Sequence, residues 1–264
     1  MIQVLFMGRK PVSARCLQAL LCRSDVEVVG VLTDSHLAVS VTADVARAAG
    51  VPLYDYESAT RAVADGSLRF DLGLSMLYWR KFKGELLAHP ARGIVNFHPA
   101  PLPGYKGVGG YNLAVLHGLT EWACTAHYVD ASIDTGPIIA DRVFPIDPGT
   151  ATAQSLERES QDVLFELFAD VFERLCRAPG RLPTRPNGTA TGLYLSRTEL
   201  EALKKVDLDS DDIDRKIRAF WFPPYDGAYV EAGGQRYTLV NRALLESLAD
   251  PNASSLFSPP AARD

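Results

Sequence analysis

The sequence carries neither a disulfide framework nor a recognisable metal centre. Its four cysteines, Cys16, Cys22, Cys124 and Cys176, form no CxxC pair and no Cys/His cluster. Zinc knuckles and stapled secreted folds are therefore not expected, and buried free thiols are. Long hydrophobic runs are also lacking. The apolar stretch at residues 2–7 is far too short to cross a bilayer, and no basic start with an apolar segment and cleavage site opens the chain. A cytoplasmic protein is expected, with the sequons at Asn187 and Asn252 as chance matches.

Basic clusters are missing as well. Lys and Arg are scattered, and the formal charge is −5. Nucleic-acid binders need a basic stripe that displaces counterions from phosphates. A small-molecule substrate is thus favoured over a large RNA, and neither nucleic acid nor membrane is expected as a partner. The dinucleotide fingerprint is absent too: Gly8-Arg9-Lys10-Pro11-Val12-Ser13 has a single glycine where close approach to a pyrophosphate requires G-x-G-x-x-G. Arg9 and Lys10 stand where a helix should begin, which makes them candidate anion ligands. Two solvated loop cations are the alternative.

What is present is an alternation of strands and helices in a chain with 47% hydrophobic residues, enough to bury a real core. Strands are expected at residues 2–7, 26–33, 51–54, 70–75 and 93–97, with helices at 11–23, 41–50, 58–65 and 83–89 between them. This rhythm predicts an α/β fold with a Rossmann-like, doubly wound, mostly parallel sheet. A helix at 108–117, strands at 123–129 and 137–146 and a long amphipathic helix at 152–177 follow. The Pro-, Gly-, Asn- and Thr-rich stretch at 179–192 reads as a linker. Two short helices (198–206, 211–219) and a hairpin turning at Gly233-Gly234 then make a small C-terminal α+β module. The expected organisation is a catalytic domain at 1–180, a module at 190–248 and a disordered tail at 250–264.

Chemistry concentrates in Asn96–Gly118 and Thr125–Ile139. Open α/β sheets bind ligands beyond the carboxyl ends of their strands, and Asn96 and His98 close the fifth strand. Two residues apart in a strand, they share a face. Asp134 lies in the loop after a later strand. Acyl transfer to an amine develops an oxyanion that an amide N–H or imidazole can stabilise, and it requires proton transfers that a His–carboxylate pair can manage. Asn96, His98 and Asp134 are therefore the candidate catalytic residues. Two other readings remain open here: His98 as a core histidine satisfied by backbone, or His98, His127 and Asp134 as metal ligands, although no close histidine pair supports a metal.

The segment resembles the folate-dependent formyltransferases. Asn96-Phe97-His98 and Asp134-Thr135-Gly136 match the Asn-x-His and Asp-x-Gly hallmarks, accompanied by Leu102-Pro103, Tyr105-Lys106-Gly107 and Pro137-Ile138-Ile139. The likeness extends through Arg218-Ala219-Phe220 and Pro224-Tyr225-Asp226-Gly227-Ala228. It implies the formyltransferase fold and N10-formyltetrahydrofolate as cosubstrate, with no metal. Asn96 and His98 would stabilise the formyl oxyanion, and Asp134 would tune His98. The pterin would lie between two loops, supplied by Tyr78, Lys81, Phe82 and Lys83 and by Asp130, Ala131, Ser132, Ile133 and Asp134. The acceptor would meet Arg9, Lys10, Tyr105, Lys106, Gly109, Gly110 and Tyr111. For Gly109-Gly110-Tyr111, a plain helix start is the competing reading; for Trp79, ordinary packing is preferred.

Relatives carry Arg where this chain has Val108 and Ser where it has Ala100, so the acceptor can differ from theirs. Acidity, a short second module and the form of the loop from His98 to Gly107 resemble most the enzymes that formylate nucleotide-linked amino sugars for bacterial surface polysaccharide, often as homodimers. Another small amine, methionyl-tRNA, or water (a deformylase) are the alternative acceptors. A deformylase is disfavoured because the first catalytic-domain strand begins at Ile2.

Overall fold

The computed structural model describes residues 1–33, 40–188 and 195–248. The expected tail at 250–264 and residues 189–192 of the expected linker lie outside these. The first strand, β1 (Ile2–Gly8), shows how the sequence builds the sheet. Val4 and Phe6 enter one core and Leu5 and Met7 another, all fully buried. Alternation of side chains puts the two pairs on opposite faces, so β1 is covered on both.

Seven strands follow the order β3-β2-β1-β4-β5-β6-β7. β2 (Val26–Leu32), β3 (Leu53–Tyr54), β4 (Leu72–Met76) and β5 (Ile94–His98) run parallel to β1. β6 (Glu121–Tyr128) runs antiparallel to β5, and β7 (Ile138–Pro145) antiparallel to β6. The chain winds outward from β1 to β3, then restarts at β4 on the other side of β1. That reversal falls between β1 and β4, and the candidate catalytic residues stand one strand further on, at the end of β5.

Helices α1 (Pro11–Leu21) and α2 (Val41–Ala48) and the long α6 (Ala153–Arg177) bury their apolar stripes against the Val4 face. Helices α3 (Tyr56–Ala64) and α4 (Gly84–Ala88) cover the other. α6 starts at a capping box in which Thr152 and Ser155 satisfy each other's backbone N–H groups. Its Phe168 and Phe172 stack at 5.6 Å, and Phe168 meets Phe97 of β5 edge-on at 5.4 Å. Phe97 is thus anchored on the core side, which turns its neighbours Asn96 and His98 to the opposite face.

Helix α5 (Gly110–Leu116) joins the C-terminal elements to this frame. Its Val115 packs with Val206, Ile217, Phe220 and Ala228, and Asn112 Nδ2 donates to the Ala219 carbonyl at 2.7 Å. The C-terminal elements are α7 (Arg197–Ala202), α8 (Ile213–Ala219), the hairpin β8 (Tyr229–Ala232) and β9 (Gln235–Thr238), and α9 (Arg242–Ser247). The hairpin turns at Gly233-Gly234, both with positive φ, as the primed two-residue turn requires. α9 has no counterpart in the sequence reading, and none of its residues is buried.

The stretch read as a linker is a packed segment where it is described. Leu182 N–H donates to the Tyr128 hydroxyl at 2.7 Å, and Arg185 pairs with Ile138 through both backbone bonds at 2.9 Å. Composition signals backbone conformation, not whether the segment has a surface to lie on.

Candidate active site

Strand register brings the polar residues together. In the parallel β4–β5 pair Ser75 stands beside Asn96, and in the antiparallel β5–β6 pair Asn96 stands beside His127. Ser75 Oγ donates to Asn96 Oδ1 at 2.8 Å. Asn96 Nδ2 lies 3.1 Å from His127 Nε2. His127 Nδ1 must carry a proton, because its partner at 2.9 Å is the Tyr128 carbonyl. With Nδ1 as the donor, Nε2 is left to accept from Asn96 Nδ2. Both ends of the amide are fixed, and one Nδ2–H remains for a ligand.

His98 is buried, and its Nε2–H donates to the Tyr105 carbonyl at 3.0 Å. This leaves Nδ1 facing Asp134 Oδ2 at 3.5 Å. Asp134 Oδ1 lies 3.6 Å from His127 Nε2, and Gly107 N–H donates to Oδ2 at 3.1 Å. Asp134 itself adopts a left-handed conformation (φ 53°) in the loop between β6 and β7. Asn187, buried at 8% exposure, holds that loop by donating to the carbonyls of Asp134 (3.0 Å) and Gly136 (2.9 Å).

Electrostatics follow from burial and these contacts. Burial pushes the His98 imidazole below its ordinary range, with the Asp134 charge acting in the opposite sense. Burial alone would raise Asp134, but the neighbouring His98 and the Gly107 N–H act against it, and the carboxyl is lowered to about 2. The resting pair at neutral pH is a neutral imidazole beside a carboxylate. Both shifts favour the deprotonated forms in the fold, so both contributions are complete at neutral pH and are lost on acidification. The His98 contribution falls as pH drops below its unfolded value of 6.5. That of Asp134, worth ~2 kcal/mol, falls between an unfolded value of 3.8 and about 2. Urea unfolding between pH 7.5 and 5 should therefore show a stability loss that is reduced in His98→Asn. Equal slopes for the two proteins would contradict a depressed His98.

These residues line a cavity of about 410 Å3. Tyr78, Lys81 and Phe82 contribute from the loop after β4, and Asp130, Ser132, Ile133 and Asp134 from the loop after β6, together with Asn96 and His98. The two non-glycine residues with positive φ among those described, Leu77 and Asp134, both line it. Strained backbone concentrated at one cavity is independently suggestive of function. Tyr78 and Phe82 stack at 5.6 Å as a buried wall, whereas Trp79, expected to pack, is 53% exposed at the mouth.

Other expected ligands lie elsewhere. Lys83 lines an adjacent groove and not the cavity, and Ala131 is exposed beside it. Arg9, Lys10, Tyr105, Lys106, Gly109, Gly110 and Tyr111 are not in the lining, although Gly107 and Val108 are. Lys10 pairs with Glu157 at 3.2 Å, and Arg9 Nε is buried without a partner among the described residues. Tyr105 acts through its carbonyl on His98 while its ring packs on Trp122 at 4.9 Å. Tyr111 turns inward against Trp122, and burial of its hydroxyl near Ser160 raises its pKa strongly. Gly109, at φ 81°, caps α5, and a side chain on Gly110 would press on Trp122. Among the described residues no group of three or more His, Cys, Asp or Glu is arranged to hold a metal ion.

Ser75, Asn187 and Arg197, which line the cavity or support its loop, are not assigned from sequence, whereas His127 enters there only as a metal-ligand alternative or a strand residue near the site. Ser75 had a usable signal, a polar residue at the end of a buried strand. Arg197 had none, because α7 reaches the cavity from about a hundred residues further along the chain.

The formyl transferase family model matches residues 4–172. A methionyl-tRNA formyltransferase from Roseiflexus castenholzii is 34% identical over 244 residues, covering 86% of this chain and 75% of that protein. The solved 4-N formyltransferase from Francisella tularensis has TM-score 0.75 at 18% identity, over 91% of this chain and 97% of that one. The N-formyltransferase from Helicobacter canadensis, solved in complex with folinic acid and dTDP-3-aminofucose, has TM-score 0.73 at 22% identity, over 89% and 86%. The two structures show likeness of fold; the family match and the 34% identical relative establish kinship. The chain belongs to the formyl transferase family and is an N10-formyltetrahydrofolate-dependent N-formyltransferase.

Proposed function

We propose that the protein transfers the formyl group of N10-formyltetrahydrofolate to the amine of a nucleotide-linked amino sugar, with Asn96, His98 and Asp134 as its catalytic residues. The observation that carries the catalytic part is one Nδ2–H of Asn96 without a partner among the described residues, held in the same cavity as the His98–Asp134 pair. The amine nitrogen attacks the formyl carbon, and the carbonyl oxygen becomes an oxyanion that accepts the Asn96 N–H. A preorganised donor of this kind is worth about 100- to 1000-fold in rate. His98 Nδ1 takes the proton lost by the attacking nitrogen, and Asp134 stabilises the resulting imidazolium. The same proton then passes to N10 as the C–N10 bond breaks, releasing tetrahydrofolate and the formamide. In this division of labour His98 manages protons, because its only neutral-state N–H is occupied by Tyr105.

A cavity of about 410 Å3 with an aromatic wall suits a pterin and its attached ring. The sugar acceptor is supported by the net charge of −5 and by the fold shared with the Helicobacter canadensis enzyme solved with a nucleotide amino sugar. Methionyl-tRNA is the second reading, favoured by the 34% identical relative. The deciding experiment offers the protein N10-formyltetrahydrofolate with dTDP-, UDP- or GDP-linked amino sugars, with methionyl-tRNA, or with no acceptor. Tetrahydrofolate release is expected with an amino sugar. Release only with methionyl-tRNA would replace the sugar reading, and release without acceptor would make the protein a hydrolase. A homodimer, cytoplasmic location and a role in surface polysaccharide synthesis belong to the same proposal.

A further inference from the structure

The side-chain amide of Asn96 has two ends of nearly equal size and opposite polarity, and only one orientation offers the cavity an N–H. Ser75 Oγ lies 2.8 Å from Oδ1, but a hydroxyl both donates and accepts, so it would satisfy either end. His127 is different. It is 2% exposed and stands beside Asn96 in the β5–β6 register. Its Nδ1 lies 2.9 Å from the Tyr128 carbonyl, an acceptor that cannot donate, so the ring proton belongs on Nδ1. Nε2, 3.1 Å from Asn96 Nδ2, then presents only a lone pair. Turned around, the amide would set Oδ1 against that lone pair. Two acceptors facing each other in a buried site forfeit a hydrogen bond.

Asp134 Oδ1, 3.6 Å from Nε2, is the rival claimant for a proton on this ring. That separation is beyond hydrogen-bond length, whereas the Nδ1 contact with Tyr128 is within it. His98 holds the opposite arrangement. Its Nε2–H goes to the Tyr105 carbonyl, which leaves Nδ1 toward Asp134. Two backbone carbonyls thus set the two histidines that line the cavity as opposite tautomers. We infer that His127 is a positioning residue of the reaction, which keeps an N–H of Asn96, and not its carbonyl oxygen, turned to the formyl oxygen. The inference rests on the reading of Asn96 as the oxyanion donor.

Two-bond nitrogen–proton correlation spectra of the wild-type protein with labelled histidine, assigned through the backbone, read both tautomers without any substitution. At neutral pH the proton is expected on Nδ1 of His127 and on Nε2 of His98. A proton on Nε2 of His127 would overturn the inference, because Asn96 would then turn its oxygen toward the ring. Kinetics supply the second arm. In His127→Leu, kcat for formyl transfer should fall about tenfold, the equivalent of one buried hydrogen bond, with KM for formylfolate and for the amine within about twofold. His127→Gln, whose amide oxygen can accept the same N–H, should recover most of that loss. Equal losses in the two variants would overturn the inference, because shape and not polarity would then matter. In an Asn96→Ala background, His127→Leu should cost less than about twofold more. A further loss as large as in the wild-type background would show that His127 acts apart from Asn96. Undiminished transfer in Asn96→Ala itself would instead overturn the oxyanion reading on which the inference rests.

Discussion

Formyl transfer by an Asp134→Asn variant is expected to fall by about a hundred- to ten-thousandfold, the range that positioned acid–base groups contribute. The replacement keeps the size of the side chain and its ability to accept from Gly107 N–H. What it removes is the charge 3.5 Å from His98 Nδ1. Burial already disfavours the imidazolium, and the Asp134 charge is what opposes burial. Without it, a proton arriving from the attacking amine finds no stable site. Folate affinity should change by no more than a few fold, because the replacement keeps the shape of the cavity wall to which Asp134 contributes. The pH dependence gives a sharper reading than the rate: residual activity should keep rising toward alkaline pH, where the amine deprotonates without help. His98→Ala should cost a similar factor, and the double variant no more than either alone, because the two residues act as one unit. Additive losses would mean that they act separately.

Gly136→Ala should be the most damaging alanine substitution among the described glycines. A Cβ at this position would stand 1.7 Å from the Tyr128 carbonyl oxygen and 2.8 Å from its carbon. Both are backbone atoms in the strand that carries His127, so neither can rotate away. The loop bearing Asp134 must shift instead, breaking the two Asn187 hydrogen bonds that fix it. Overpacking that forces backbone to move costs about 1–3 kcal/mol and occasionally more. A loss of at least about 3 kcal/mol in urea unfolding is expected here. Transfer should fall as far as in Asp134→Asn, because Asp134 is displaced. Gly180→Ala, where an added Cβ meets nothing within 4 Å, is the control and should alter neither quantity. Wild-type activity in Gly136→Ala would show that the Asp134 loop is not held by this close approach.

The sequence is legible where chemistry is written as periodicity. The unbroken apolar run from Val4 to Met7 marks β1 as a buried strand, and the structure divides its residues between two cores. Asn96 and His98 share a face because they are two apart, and Phe97 between them is an apolar anchor. The short connection from β6 to β7, too short for a crossover helix, also permits their antiparallel pairing to be read. Where register decides, the sequence is silent. His127 meets Asn96 only because β5 and β6 pair antiparallel in one register, and a shift by one residue would turn it away. Tyr111 illustrates the converse error. Next to two glycines it resembles a stacking residue, yet helix α5 begins one residue earlier and its phase turns the ring toward Trp122. Asn187 was hidden by composition, since it sits in a stretch whose residues signal a loop whether or not that loop is packed. α9 offered no signal because no apolar stripe is buried.

The most direct test measures both products in one reaction. Wild-type protein is mixed with N10-formyltetrahydrofolate and an amino-sugar nucleotide, and tetrahydrofolate and the formylated amine are quantified together by mass spectrometry. Equal amounts of the two are expected, formed only when the amine is present and lost in both His98→Ala and Asp134→Asn. Tetrahydrofolate appearing with free formate instead of a formamide, or undiminished product in either variant, would contradict a transfer centre built from Asn96, His98 and Asp134.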